Sequence, residues 1–180
     1  MGTTTLMSFA EFELLDFGAD EVELLRGELI RLPPRQRKHM EICTRLFKLL
    51  DAALERWKRN NSDAAIGKLH IEMGYVISSD PRSWLQPDLS LTHPDQPGDR
   101  YYEGAPLVAI EVVSEYDTAT RMDRKVAEYL AHGAAEVWVI YPETRHAWVY
   151  RDAVPAATRE TEAIHSELLP GIEIRLDEIL

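Results

Sequence analysis

The chain has 180 residues, 45% of them hydrophobic, enough to bury roughly 70% of the surface its unfolded form exposes, so one globular domain spanning 1–180 is expected. A net charge of −11 argues against a protein that coats nucleic acid, because backbone binding rests on Lys and Arg displacing counterions. Cys43 is the single cysteine, which excludes an intramolecular disulfide and a thiolate zinc cluster and fits a reducing cytoplasm.

The first residues, Met-Gly-Thr-Thr-Thr-Leu, lack the basic and apolar segments of a secretory leader, and Leu6 stands where a myristoylation signal needs Ser or Thr. No run approaches membrane-spanning length. After this polar start, residues 22–32 read as two short strands joined at Arg26-Gly27, with Pro33-Pro34 ending the second. Ile42, Leu46, Leu49, Leu50, Ala53 and Trp57 recur at helical spacing and predict an amphipathic helix over 39–58, closed by Asn60-Asn61-Ser62-Asp63. Residues 67–77 read as a strand with a bulge at Gly74, and 78–83 as a turn-rich loop leading to Pro87-Asp88.

Prolines and glycines mark 92–104 as an exposed loop before an apolar strand over 107–114. Met122, Val126, Tyr129 and Leu130 form a helical stripe, so 120–132 is a second helix that stops at Gly133. Residues 137–141 and 147–150 are strands around a Pro142-Glu-Thr-Arg turn. The segment 153–163 has the weakest pattern, and a last strand over 172–175 leads to a terminal helical turn. This order predicts an α/β or α+β domain, a mixed sheet flanked by helices, with residues 120–132 crossing between parallel strands.

Charge is unevenly spread. Between Arg26 and Arg59, ten Lys and Arg meet four acids, a local balance of +6 that leaves −17 for the rest. Arg35, Arg37, Lys38 and His39 are therefore candidates for gripping a phosphate backbone, although such a run also describes a solvated helix face, and His39 also reads as a residue bonded locally near a helix start. His93, His132, His146 and His165 show no metal-ligand spacing, and the four Trp read as core or interface.

The feature that points to chemistry is Glu111, a lone acid inside Leu-Val-Ala-Ile-Glu-Val-Val-Ser. Burying a charge is costly unless a cation answers it. Asp88 upstream and Lys125 downstream complete a candidate site. Two carboxylates are the number of hard oxygen ligands magnesium usually takes from a protein, and a lysine supplies a compact cation for the charge that develops on phosphorus. Pro-Asp is also a common turn dipeptide, and Glu111 with Lys125 is equally a buried structural ion pair.

At these residues the chain resembles the PD-(D/E)XK nuclease superfamily, and within it the Uma-two family of restriction-endonuclease-like proteins. The resemblance rests on Glu23-Leu-Leu-Arg-Gly-Glu28, His39 opening a helix, Gln86-Pro-Asp88, Ala109-Ile-Glu-Val-Val-Ser114, Lys125 with Tyr129, Gly133-Ala-Ala-Glu-Val-Trp-Val-Ile and Leu169-Pro-Gly171. It implies a core mixed sheet flanked by helices, Asp88 and Glu111 as ligands of Mg2+ or Mn2+, Lys125 as the catalytic base-like cation, and a contribution from the Val112 carbonyl. Glu28 and His39 match family positions, Glu28 as a further ligand. The implied activity is hydrolysis of DNA by a metal-activated water, with a homodimer as a possible assembly. One departure stands out: the superfamily's lysine lies two residues after the second acid, where this chain has Val113. The alternative is a catalytically silent nuclease fold that binds nucleic acid or a protein partner.

Overall fold

The computed structural model describes residues 6–18, 20–61, 66–79, 82–152, 154 and 156–180. The extreme N-terminus, the Ser62-Asp63 part of the helix closure and the centre of the expected 78–83 loop lie outside the described residues. Among the described residues no helix is long and apolar enough to cross a membrane.

In chain order the elements are α1 (Phe9–Leu14), β1 (Glu21–Leu25), β2 (Glu28–Leu32), α2 (Arg37–Asn60), β3 (Leu69–Ile71), β4 (Tyr75–Ser79), β5 (Arg82–Leu85), β6 (Leu89–Leu91), β7 (Tyr102–Glu103) and β8 (Val108–Val112). They continue as α3 (Ala119–Ala131), β9 (Glu136–Tyr141), β10 (His146–Arg151), β11 (Thr158–Glu160), β12 (Ala163–His165), β13 (Glu173–Arg175) and α4 (Leu176–Ile179). Helix α1 is an addition to the expected polar start: Ser8 and Glu11 form a reciprocal capping box, and Phe12 anchors the turn in an aromatic cluster with Trp84. The β1–β2 hairpin turns at Arg26 (φ 52°) and Gly27 (φ 78°), two left-handed residues in succession, as a two-residue turn of this hand requires.

A six-stranded mixed sheet in the order β11-β10-β9-β8-β6-β3 forms the centre, with β8 and β9 parallel and joined through α3. Strand β8 sorts its residues by the two-residue period: Val108, Ile110 and Val112 face a cluster holding Ile42, Leu46, Leu50 and Leu54 of α2, and Ala109 faces Met122, Val126 and Tyr129 of α3. Each fully buried aliphatic side chain of α2 contributes roughly 1.5–3 kcal/mol to this packing. A five-stranded sheet, β2-β1-β5-β4-β7, lies beyond α3 and shares its cluster through Leu25, Tyr75 and Leu85. Arg26 ties the hairpin to α3, its Nε 2.7 Å from Oε2 of buried Glu128.

The structure corrects two expectations. Residues 67–77 form not one bulged strand but β3 and β4, which belong to different sheets. Gly74 lies between them because a Cβ there would stand 2.6 Å from the Trp84 ring. The expected loop at 78–83 is the β4–β5 hairpin, whose Ser78 and Ser83 hydroxyls donate to Glu128 Oε1 at 3.1 and 2.6 Å, so their turn-forming hydroxyls serve a buried carboxylate instead. Short strands also appear in two segments read as irregular, β7 in 92–104 and β11 in 153–163.

Helix α3 starts at Thr118, whose side chain accepts from the Arg121 amide at 3.2 Å. Thr118→Ala should cost about 1 kcal/mol of unfolding free energy, read from the midpoint of a urea titration.

Candidate metal and phosphate site

The register of the central sheet assembles the acids. Leu89 faces Ile110 across the antiparallel β6–β8 pair, so the next rung sets Asp88 beside Glu111. Alternation turns Glu111 away from Ile110 and toward α3, where Lys125 and Tyr129 lie one helical turn apart on the same stripe. Strand β1 repeats the device: Val22 and Leu24 pack with Phe12 and Trp84, which leaves Glu23 on the opposite face, toward Lys125. These groups line a cavity of about 450 Å3 whose wall is completed by the start of α2 and the Ser114–Asp117 turn.

Lys125 reaches from α3 to the cavity that Val113 also lines. Its Nζ lies 2.8 Å from Glu111 Oε1 and 2.9 Å from Glu23 Oε1, and all three side chains are nearly fully buried. The Tyr129 hydroxyl donates to the same Glu111 oxygen at 2.8 Å. Burial would strip Lys125 of its proton, but Glu111 and Glu23 outweigh it and the ammonium is held well above its ordinary range. One cation thus answers two carboxylates, and the surplus negative charge falls on Glu111. Burial, with Asp88 and Glu23 adding repulsion against the opposing Lys125, pushes Glu111 up to about 7.

Asp88 behaves oppositely. Burial would raise it, but a hydrogen bond and charge from His39, the Val112 amide on Oδ2 at 2.7 Å and the Arg35 guanidinium together keep it below the usual carboxylate range. Arg35 Nη1 and His39 Nε2 both meet Asp88 Oδ1, at 2.6 and 2.9 Å. His39 is raised in return, its burial opposed by the Asp88 carboxylate.

The residues singled out from the sequence separate into two groups. Asp88, Glu111, Val112, Lys125, Arg35, Lys38 and His39 all line the cavity. Glu28 and Arg37 do not. Glu28 pairs instead with Arg124 at 2.9 Å on an exposed surface, and Arg37 with Glu41 at 3.0 Å. Among the further acids that line the cavity, Glu23 is the one bound to Lys125, and its Oε2 is buried and makes no hydrogen bond. The sequence carried no comparable signal for it, because Glu21-Val22-Glu23-Leu24 reads as the ordinary alternation of a half-buried strand.

The donor chemistry fits a hard divalent cation. Asp88 and Glu111 line one cavity and supply as many carboxylates as Mg2+ or Mn2+ usually takes, while Glu23, its Oε2 unpartnered, lines the same cavity without converging on them as a third ligand. His39, Cys43 and Asp88 also bring one ligand atom each within 4.8 Å of one another. Burial, however, pushes the Cys43 thiol far up, and a metal needs the thiolate, so the oxygen set is the better fit.

Asp88 and Glu111 stand side by side where β6 meets β8, with Lys125 on Glu111, in a mixed sheet flanked by helices, which is a restriction-endonuclease-like fold. Comparisons with known proteins agree. Residues 9–177 match the model of the Uma2 family, described as "Putative restriction endonuclease", and the chain belongs to that family. It is also similar in fold to the crystal structure of a protein of Anabaena variabilis described as a "putative nuclease", with a TM-score of 0.77, 17% identity, and 96% of this chain and 97% of that chain covered. No curated protein matches it.

Proposed function

We propose that this protein is a divalent-metal-dependent endonuclease of one domain that hydrolyses phosphodiester bonds in DNA. The observation that carries the reading is the meeting of Asp88, Glu111 and Lys125 in one cavity, with Lys125 Nζ 2.8 Å from Glu111 although Val113 takes the lysine's usual sequence position. Asp88 and Glu111 would hold Mg2+ or Mn2+. When bound, such an ion supplies Lewis-acid polarisation of a phosphoryl oxygen and a more acidic water.

The chain's own residues do the rest. Lys125 cannot serve as a base, because two carboxylates hold its proton; it acts as a fixed positive charge that orients the attacking water and meets the charge developing on phosphorus. Tyr129 and Lys125 both bind Oε1 of Glu111, which fixes that carboxylate and turns Oε2 to ligation. The Val112 amide and His39 fix Asp88 in the same way.

Supercoiled plasmid incubated with Mg2+ or Mn2+ tests the reading. Nicked circles that appear only with the metal support it, whereas binding in Ca2+ without nicking points to the catalytically silent nuclease fold. One site per chain cuts one strand, so nicking precedes linearisation unless two copies act together.

The rim cations make a finer prediction. Lys38 lines the cavity, paired with Glu143 at 2.6 Å, whereas Arg37 lies off it. Lys38→Ala should therefore reduce the salt slope of DNA binding by about one, and Arg37→Ala should leave it nearly unchanged, both read by fluorescence anisotropy in Ca2+.

A further inference from the structure

Arg35 follows Pro33-Pro34 just ahead of α2, its side chain only 15% exposed on the cavity wall. Three carboxylates from separate segments share its guanidinium. Nη1 meets Asp88 Oδ1 at 2.6 Å, and Nε stands 3.1 Å from Glu21 Oε2 and 3.1 Å from Glu72 Oε1. With His39 Nε2 at 2.9 Å on the same oxygen, both lone-pair directions of Asp88 Oδ1 are taken, and the Val112 amide occupies Oδ2.

One lone-pair direction, on Oδ2, remains open, but a divalent cation there would compete with Arg35 for the same carboxylate charge. It would also stand at ion-pair distance from the guanidinium, where two positive charges in a buried site repel strongly. Charge repulsion therefore opposes joint occupancy of Asp88. Arginine's planar fork, moreover, matches the two oxygens of a phosphate. Glu21, on the more exposed side, and Glu72 flank Nε and would keep the released side chain at the cavity rim.

We propose that Arg35 exchanges with the divalent cation at Asp88, and that the guanidinium so released becomes the cavity's contact to a substrate phosphate. Metal loading and substrate binding are then coupled through one side chain. This rests on the nuclease reading, in which Asp88 is a metal ligand.

Two affinities measured on Arg35→Met test it: Mn2+ binding by calorimetry, and binding of a DNA duplex in Ca2+ by anisotropy. Exchange predicts opposite signs, with Mn2+ held about tenfold or more tighter and DNA bound about tenfold weaker, the scale of one charge-assisted hydrogen bond. A merely structural ion pair weakens both or neither, and any combination other than tighter metal with weaker DNA overturns the exchange. Arg35→Lys keeps the charge and should show smaller shifts in the same two directions, which serves if the Met variant does not fold. Asp88→Asn separates the exchange from the reading beneath it. If it binds Mn2+ as tightly as the parent, the nuclease reading falls; if it loses Mn2+ while neither Arg35 variant shifts as stated, the exchange alone falls.

Discussion

Lys125→Met should lower the rate of metal-dependent plasmid nicking by about 10²-fold or more, the loss expected when one positioned charge-stabilising group is removed. It should also destabilise the metal-free fold by roughly 3–5 kcal/mol, because Glu23 and Glu111 would be left buried with no cation between them. The two effects separate by experiment. A divalent ion bound by these unpaired acids should restore part of the lost stability, but it cannot restore a cation aimed at the substrate, so melts should recover with Mn2+ while nicking does not. A Lys125→Met protein that nicks like the parent in Mn2+ would reduce Lys125 to a structural counter-ion.

Glu111→Gln should abolish most of the stabilisation by metal and flatten its dependence on pH. The parent acid is pushed from 4.5 up to about 7 on folding, so the folded state holds the proton more tightly than the unfolded chain. Metal-free stability is therefore fully helped by this group at low pH and falls as pH rises from about 4.5 to about 7, by up to about 3 kcal/mol, and is level above. Metal binding runs the other way, since it needs the ionised carboxylate: its affinity should weaken as pH drops below about 7. At a free metal concentration 100 times the dissociation constant the parent gains about 2.7 kcal/mol, provided the unfolded chain does not bind. Melts of both proteins with and without Mg2+, on either side of neutrality at fixed ionic strength, give the eight curves needed. A metal-insensitive parent together with a strongly destabilised Glu111→Gln would instead mark Glu111 and Lys125 as an ion pair that only holds α3 to the sheet.

What the sequence determined by itself was local pattern and its violations. A continuous apolar run located β8, the Arg26-Gly27 turn located the β1–β2 hairpin, helical spacing located α2 and α3 to within a few residues at their ends, and the cost of burying an unanswered charge singled out Glu111 before any neighbour was known. Tertiary structure decided who answers that charge. Strand register, set by pairing between distant segments, brought Asp88 beside Glu111; Glu23 and Glu28 share one face of the hairpin, since Glu28 pairs with Leu25 two residues from Glu23, but Glu23 lies within the strand over buried Lys125 whereas Glu28 stands at the turn end, where it meets Arg124 at the surface. The same reason explains Gly74 and the 78–83 segment: Trp84 and Glu128, remote in sequence, turned an expected bulge into a crossing between sheets and an expected loop into a hairpin. A local pattern records what each residue prefers, but the partner that satisfies a buried charge or a crowded glycine is fixed only when distant strands and helices close on one another.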